Sequence, residues 1–220
     1  MIELLQHLEL DHVFVCTPDR EQALETLTAA GLDRGPSRVH HGQGTANDCF
    51  YFENAYLELL WMNDESEIRS PAVRPLCLWE RIHWRESGAS PFGLALRPLA
   101  GFDLAKLDAW RYEAAYLPRG RAVTVLSPAG VADEALVFLS MSSLPPSQYP
   151  DDRRAHLVHK GRSRSITRVS HHPVEAGKAA DPRAPGSNAG IGARHMILEL
   201  DGGHGEVCDL RPALPLTIHW

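Results

Sequence analysis

Apolar and polar residues alternate with period two in Leu10-Asp11-His12-Val13-Phe14-Val15-Cys16. That spacing predicts a strand with His12, Phe14 and Cys16 on one face and Asp11, Val13 and Val15 on the other. The period then changes. Asp19 can cap a helix, Gln22 stands three residues on, and Ala23, Leu24, Leu27 and Ala30 recur at helical spacing before Gly31 ends the run. Such a helix covers the Val13 face and leaves His12 and Phe14 pointing away from it. Residues 38–41 begin another strand, on which His40 and His41 must point to opposite sides. Asn47 to Phe52 and Tyr56 to Met62 read as two further strands joined by a tight reversal at Glu53-Asn54-Ala55. The second of these places Tyr56, Glu58, Leu60 and Met62 on one face and Leu57, Leu59 and Trp61 on the other. Gly42 to Asn47 reads as a glycine-rich bend, either presenting Thr45 and Asn47 to a ligand at its rim or serving as a plain hairpin turn.

The second half repeats the theme more loosely. Phe92 to Pro98 reads as a strand, Asp103 as the cap of a helix carrying Leu104, Leu107 and Trp110, and residues 122–126 and 135–141 as strands parted by Ser127-Pro128-Ala129-Gly130. Between the halves, residues 79–84 suggest a short helix, with His83 a weak candidate for function. Residues 153–168 gather six Arg and Lys with His156 and His159, either a site for an anion or a solvated face. Ile166 to His172 and His195 to Leu200 read as strands, and the tail through Ile218 as a strand on a sheet edge. Residues 174–194 are rich in Gly, Ala, Pro and Ser and are expected to form a mobile surface loop, with a lid over the site as the alternative.

Glu58 is the anomaly in this pattern. A carboxylate among Leu57, Leu59 and Leu60 is costly to bury unless an arginine, a metal or a hydrogen-bond donor meets it. With His12 on a neighbouring apolar strand, it offers the nitrogen and oxygen donors that suit Zn, Fe, Mn or Ni.

The order of DHVFV, a capped helix, GTANDCFYF and YLELLW resembles the vicinal oxygen chelate superfamily, within it the glyoxalase-like domains (glyoxalase, bleomycin resistance and dioxygenase proteins). The resemblance covers residues 8–62 and thins beyond them. It implies an α+β fold of paired βαβββ modules, whose curved mixed sheets surround a cavity with helices on the outer faces. The expected division is a first module at 1–62, a connector at 63–89 and a second, irregular module at 90–220. The resemblance also implies His12 and Glu58 as ligands of a divalent metal, and Glu199, in Ile197-Leu198-Glu199-Leu200, as a third from the last strand of the second module. Glu199 can instead pair with Arg97 or Arg194. Phe92 stands where the second module would repeat His12, so one expected ligand is missing. Phe14, Thr45, Asn47, Tyr56 and Trp61 are the expected cavity residues, and His171 or a free carboxylate the expected base. The family spans isomerases, epimerases, dioxygenases and thiol transferases, so the implied function is a metal-dependent enzyme acting on a small oxygen-chelating substrate. The alternative is a metal-free protein that sequesters an apolar or aromatic compound.

Composition narrows the partners. The 220 residues are 44% hydrophobic and 23% charged, with a formal charge of -6. An acidic chain lacks the basic footprint that nucleic acid requires. Four cysteines in no CxxC pattern suit a reducing cytoplasm better than a disulfide framework. Glu3, His7 and Glu9 interrupt the apolar residues at the start, so neither a secretory leader nor a membrane span is expected. The expected partner is a small molecule in the cytoplasm, with a homodimer as an open case.

Overall fold

The computed structural model describes residues 7–141, 143–157, 159, 164–172 and 194–220. Its strands are β1 (Leu8–Cys16), β2 (Ser37–His40), β3 (Thr45–Tyr51), β4 (Tyr56–Met62), β5 (Phe92–Pro98), β6 (Trp110–Tyr112), β7 (Val123–Val125) and β8 (Leu136–Leu139). These form one eight-stranded sheet in the order β2-β3-β4-β1-β5-β8-β7-β6. β1 pairs parallel with β4, β5 pairs parallel with β8, and β1 and β5 meet antiparallel at the centre. The sheet therefore consists of two halves of the same topology. The α+β architecture of paired modules is the one the family resemblance implies.

Helix α1 (Arg20–Ala29) begins where Asp19 accepts the backbone N–H of Gln22. It lays Ala23 and Leu27 on the outer face of the sheet, against Val13, Val15, Leu57 and Leu59. The same outer core receives Met196, Leu198 and Leu200 of β10 (His195–Leu200) and Leu216 and Ile218 of β12 (Leu216–His219). With β9 (Ile166–His172) and β11 (Val207–Asp209) these strands make a second sheet, ordered β11-β12-β10-β9. The inner face of the large sheet buries Phe14, Cys16 and Leu60 against connector residues Ile68, Val73, Leu76, Leu78 and Ile82, and against Tyr112, Val125 and Leu136 of the second half. The connector carries α2 (Glu65–Ile68), α3 (Leu78–Ile82) and α4 (Trp84–Ser87). Fully buried Arg81 ties it to the second half, donating to the carbonyls of Leu76, Ser90, Val131 and Glu134.

Four expectations are corrected. The helix expected after Asp103 is a single 3-10 turn, Leu104–Lys106, and Trp110 starts a strand instead. Asp103 does cap Ala105, but the helical spacing of Leu104, Leu107 and Trp110 is overridden by pairing of Trp110–Tyr112 with Val123–Val125. The strand that mirrors β4 is β8, because β8 lies parallel to β5 as β4 does to β1; β10 belongs to the separate sheet. The last strand, β12, lies between β10 and β11 and not at an edge. Thr45 and Asn47 sit within β3, and the bend before them is confined to residues 41–44. There Gly42 and Gly44 adopt φ of 79° and 76°, and their N–H groups donate to Glu67 of the connector. The loop expected over 174–194 lies, up to residue 193, outside the described residues.

Candidate functional site

Parallel pairing of β1 with β4 sets Phe14 opposite Glu58 and His12 opposite Tyr56, so both polar side chains share the inner face. His12 Nε2 lies 3.4 Å from Glu58 Oε2. Among the described residues no arginine pairs with Glu58. Its second oxygen, Oε1, accepts the amide of Asn47 at 2.6 Å. The orientation of that amide is fixed, because Asn47 Oδ1 accepts the backbone N–H of Arg38 at 2.8 Å and only the NH2 group is left to face Glu58. The chain of contacts runs on to His40 Nε2, 3.5 Å from Asn47 Nδ2, and from His40 Nδ1 to the Thr45 hydroxyl at 2.9 Å. His12, Glu58, Asn47 and His40 retain only 6 to 7% of their surface. His41, on the opposite side of the strand, is exposed.

Asp11 is the component that alternation misplaces. A bulge between Leu10 and His12 breaks the β1–β5 register, and an inserted residue can turn its side chain out of the strict in-and-out order. Asp11 Oδ1 accepts His12 Nδ1 at 2.6 Å, and Asp11 Oδ2 accepts Arg97 at 2.9 Å and the Ser143 hydroxyl. A carboxylate only accepts, so the proton of the pair sits on Nδ1 and Nε2 is directed at Glu58. Two adjacent polar residues, Asp11 and His12, inside an otherwise apolar strand were the available signal of a bulge.

The environment is electrostatically sharp. Burial pushes the Tyr56 hydroxyl well above the ordinary phenol range, and the charges of Glu58 and Asp11 push it further. The Cys49 thiol, facing Glu58 across β3 and β4, is raised by burial and then by that carboxylate. Burial holds His40 below the ordinary imidazole range, with Arg38 and His12 acting in the same direction and Glu58 against it.

The expected residues divide cleanly. His12, Glu58, Phe14, Thr45, Asn47 and Tyr56 come to the inner face, where the Tyr56 ring stacks on His12 at 4.4 Å. Trp61 does not: it lies on the helix side, under the Arg20 guanidinium. Glu199 does not join either. On β10, Met196, Leu198 and Leu200 point into the outer core, so Glu199 points away from the large sheet altogether, 3.7 Å from Arg168. His171 packs edge-on against Phe92 in that same outer region, so it stands apart from the pair as a base. His83 stacks on Trp79. His159 is buried by a structural duty, accepting the Asp33 N–H and meeting the Tyr51 carbonyl.

Among the described residues the second half presents no matching donors. Opposite His12 and Phe14 it sets Ala95 and Gly93, and beyond them Phe138 and Leu136. The Phe138 ring meets His12 edge-on at 5.5 Å. Gly93 is required there, since a Cβ would stand 2.0 Å from the Phe14 ring. Catalytic zinc and iron sites are normally held by three protein donors. The described residues contain no group of three or more His, Cys, Asp or Glu that could hold an ion. Among the described residues the donor set stops at His12 Nε2 and Glu58 Oε2, so the metal implied by the resemblance does not fit it. No helix among the described residues is long and apolar enough to cross a membrane.

Comparison with known proteins gives the family. A model described as glyoxalase-like domain matches residues 10–177. Among solved structures, a hypothetical protein from Staphylococcus aureus aligns over 96% of this chain and 98% of its own, at 11% identity and a TM-score of 0.49. A hypothetical protein from Bacillus halodurans C-125 covers 62% of this chain and 97% of its own, at 15% identity and a TM-score of 0.42. Methylmalonyl-CoA epimerase from Mycobacterium tuberculosis covers 61% and 88%, at 18% identity and a TM-score of 0.37. No curated protein matches the chain. The family model spans most of the sequence, including both halves of the large sheet and β9, and the chain belongs to the glyoxalase-like domains of the vicinal oxygen chelate superfamily.

Proposed function

We propose that this chain is a small-molecule enzyme whose working centre is the His12–Glu58 pair, and that the pair moves a proton at a carbon next to a substrate oxygen. The observation that carries the reading is the 3.4 Å approach of two hydrogen-bond acceptors, Nε2 and a carboxylate oxygen, in a nearly closed site. Acceptors that face each other out of water need a hydrogen-bond donor or a cation between them. Asp11 is compensated by Arg97, and the gap between Nε2 and Glu58 is left for a shared proton or for a donor of the substrate.

With substrate between them, Glu58 takes the proton from carbon while the His12 Nε2–H is given to the neighbouring oxygen as negative charge develops there. Returning a proton to either face of the carbon completes an isomerisation or epimerisation. Asp11 holds the imidazole in the orientation this requires, and Asn47 holds the carboxylate. The test is solvent-deuterium exchange into pyruvate, lactate and mandelate by chelator-treated protein. Exchange lost in Glu58→Gln is the expected result. Exchange that survives in that variant, or that starts only when a divalent ion is added, contradicts the reading.

A second reading, sequestration of an aromatic compound, is favoured by the aromatic rings of Phe14, Tyr56 and Phe138 around His12. It predicts tight binding with no exchange.

A further inference from the structure

The two outer edges of the eight-stranded sheet, β2 and β6, are joined by no ladder. Side chains bridge them instead. Arg38 on β2 donates to the carbonyl of Tyr116, four residues beyond the end of β6, at 3.1 Å, and its guanidinium lies 5.0 Å from the centre of the Tyr116 ring. That ring covers His40 at 4.7 Å. Just beside it, Gly42 approaches Ala115 so closely that a Cβ would stand 2.4 Å from the alanine methyl. Behind His40 lie Asn47 and then Glu58. The seam thus stands between solvent and the polar end of the site, and it is held by one charged side chain and one aromatic ring where a continuous sheet would have backbone bonds.

We propose that the Arg38–Tyr116 contact is the gate of the site, and that Arg38 is the residue that selects a substrate bearing a carboxylate. Among the described residues Arg38 has no carboxylate partner; it is satisfied by a carbonyl and a π-face, both weaker acceptors than an anion. An incoming carboxylate outcompetes the Tyr116 carbonyl for the guanidinium, which frees the Tyr116 turn and uncovers His40. The substrate's acidic group is then held at the mouth by Arg38, and its reacting carbon is directed inward toward Glu58. The body that follows passes between the aromatic rings around His12, so an aromatic or otherwise flat acid suits the site. This rests on the His12–Glu58 pair being the working centre.

The test uses benzoate, with benzamide as the uncharged control and inorganic phosphate as the other anion, titrated by calorimetry into the full chain. Arg38→Gln is expected to weaken benzoate by about tenfold, the scale of one charge-assisted contact, and to leave benzamide unchanged. Equal benzoate binding by the variant overturns the selection, and phosphate binding more tightly than benzoate overturns the carboxylate class. The gate is read separately, from the rate at which diethylpyrocarbonate modifies His40, followed by peptide mass spectrometry with buried His159 as the internal measure of folding. Tyr116→Ala, or Tyr116→Leu should the smaller residue unfold the loop, is expected to speed His40 modification several-fold with His159 unchanged; an unchanged His40 rate overturns the gate. Arg38-dependent benzoate binding without deuterium exchange counts against the proton-transfer reading alone, and exchange without Arg38 dependence counts against the selection by Arg38 alone.

Discussion

The two halves of the large sheet share one topology and differ in what they turn inward. In the first half, inner positions hold His12, Thr45, Asn47 and Glu58; in the second they hold Gly93, Ala95, Val125, Leu136 and Phe138. Strand pairing depends on backbone groups that both halves possess, so the ladder is retained while side chains diverge. The difference teaches that this fold concentrates its polar inward-facing side chains on one side and uses the other as an apolar wall. A wall of that kind lowers the local dielectric and strengthens the contacts it covers.

The comparison can be broken most severely at Asp11. Asp11→Ala leaves the buried Arg97 and His12 without their shared carboxylate and is expected to cost about 3–5 kcal/mol, measured by urea unfolding. A loss below about 1 kcal/mol, the scale of an exposed pair, would show that Asp11 does not anchor the first half. At the mirrored place in the second half the expected fault is overpacking. Gly93→Ala drives a methyl into the Phe14 ring and should cost about 1–3 kcal/mol, with near-ultraviolet circular dichroism reporting the displaced aromatic residues.

The helices offer a finer contrast. Asp19 caps the ten-residue helix α1 and Asp103 caps only a 3-10 turn, so Asp19→Ala should cost about 1 kcal/mol and Asp103→Ala clearly less. Equal losses in thermal unfolding would remove that distinction. The smallest effect concerns His159, which clamps the first half to the later chain through Asp33 and Tyr51. Burial depresses it below its ordinary value of 6.5. The unfolded chain therefore takes up a proton that the native state refuses, so stability is full above pH 6.5 and falls as pH drops below it. His159→Gln should flatten that part of the pH profile; an unaltered slope would assign it elsewhere.

Much of this was legible in the sequence because side-chain alternation carries directly into faces of a sheet. His12, Phe14, Tyr56 and Glu58 fall on one face from spacing alone, and the Val13 face receives the helix that Asp19 announces. What escaped depended on long-range register. Asp11 is the extra residue of a bulge that only pairing with β5 creates, so period two assigned it to the wrong side. Glu199 sits in a segment that looks like β4, yet local pattern does not say which sheet a strand enters, and β10 docks on the outer core. Trp61 was already on the helix face by its own spacing, and the structure keeps it there, under Arg20. Tyr116 and Arg38, 78 residues apart, meet only because the sheet curls until its edges approach.

The measurement that tests the one-sided site most directly is a zinc titration of chelator-treated wild-type protein beside Phe138→His, which places an imidazole on the apolar wall opposite His12. With only two donors, the wild type should lose the ion on dialysis, and the variant should bind it roughly tenfold more tightly, a gain of about 1.4 kcal/mol. About one zinc per chain held by the wild type through dialysis at nanomolar affinity, near -12 kcal/mol, with no gain in Phe138→His, would contradict the account and return the site to a metal centre completed elsewhere in the chain.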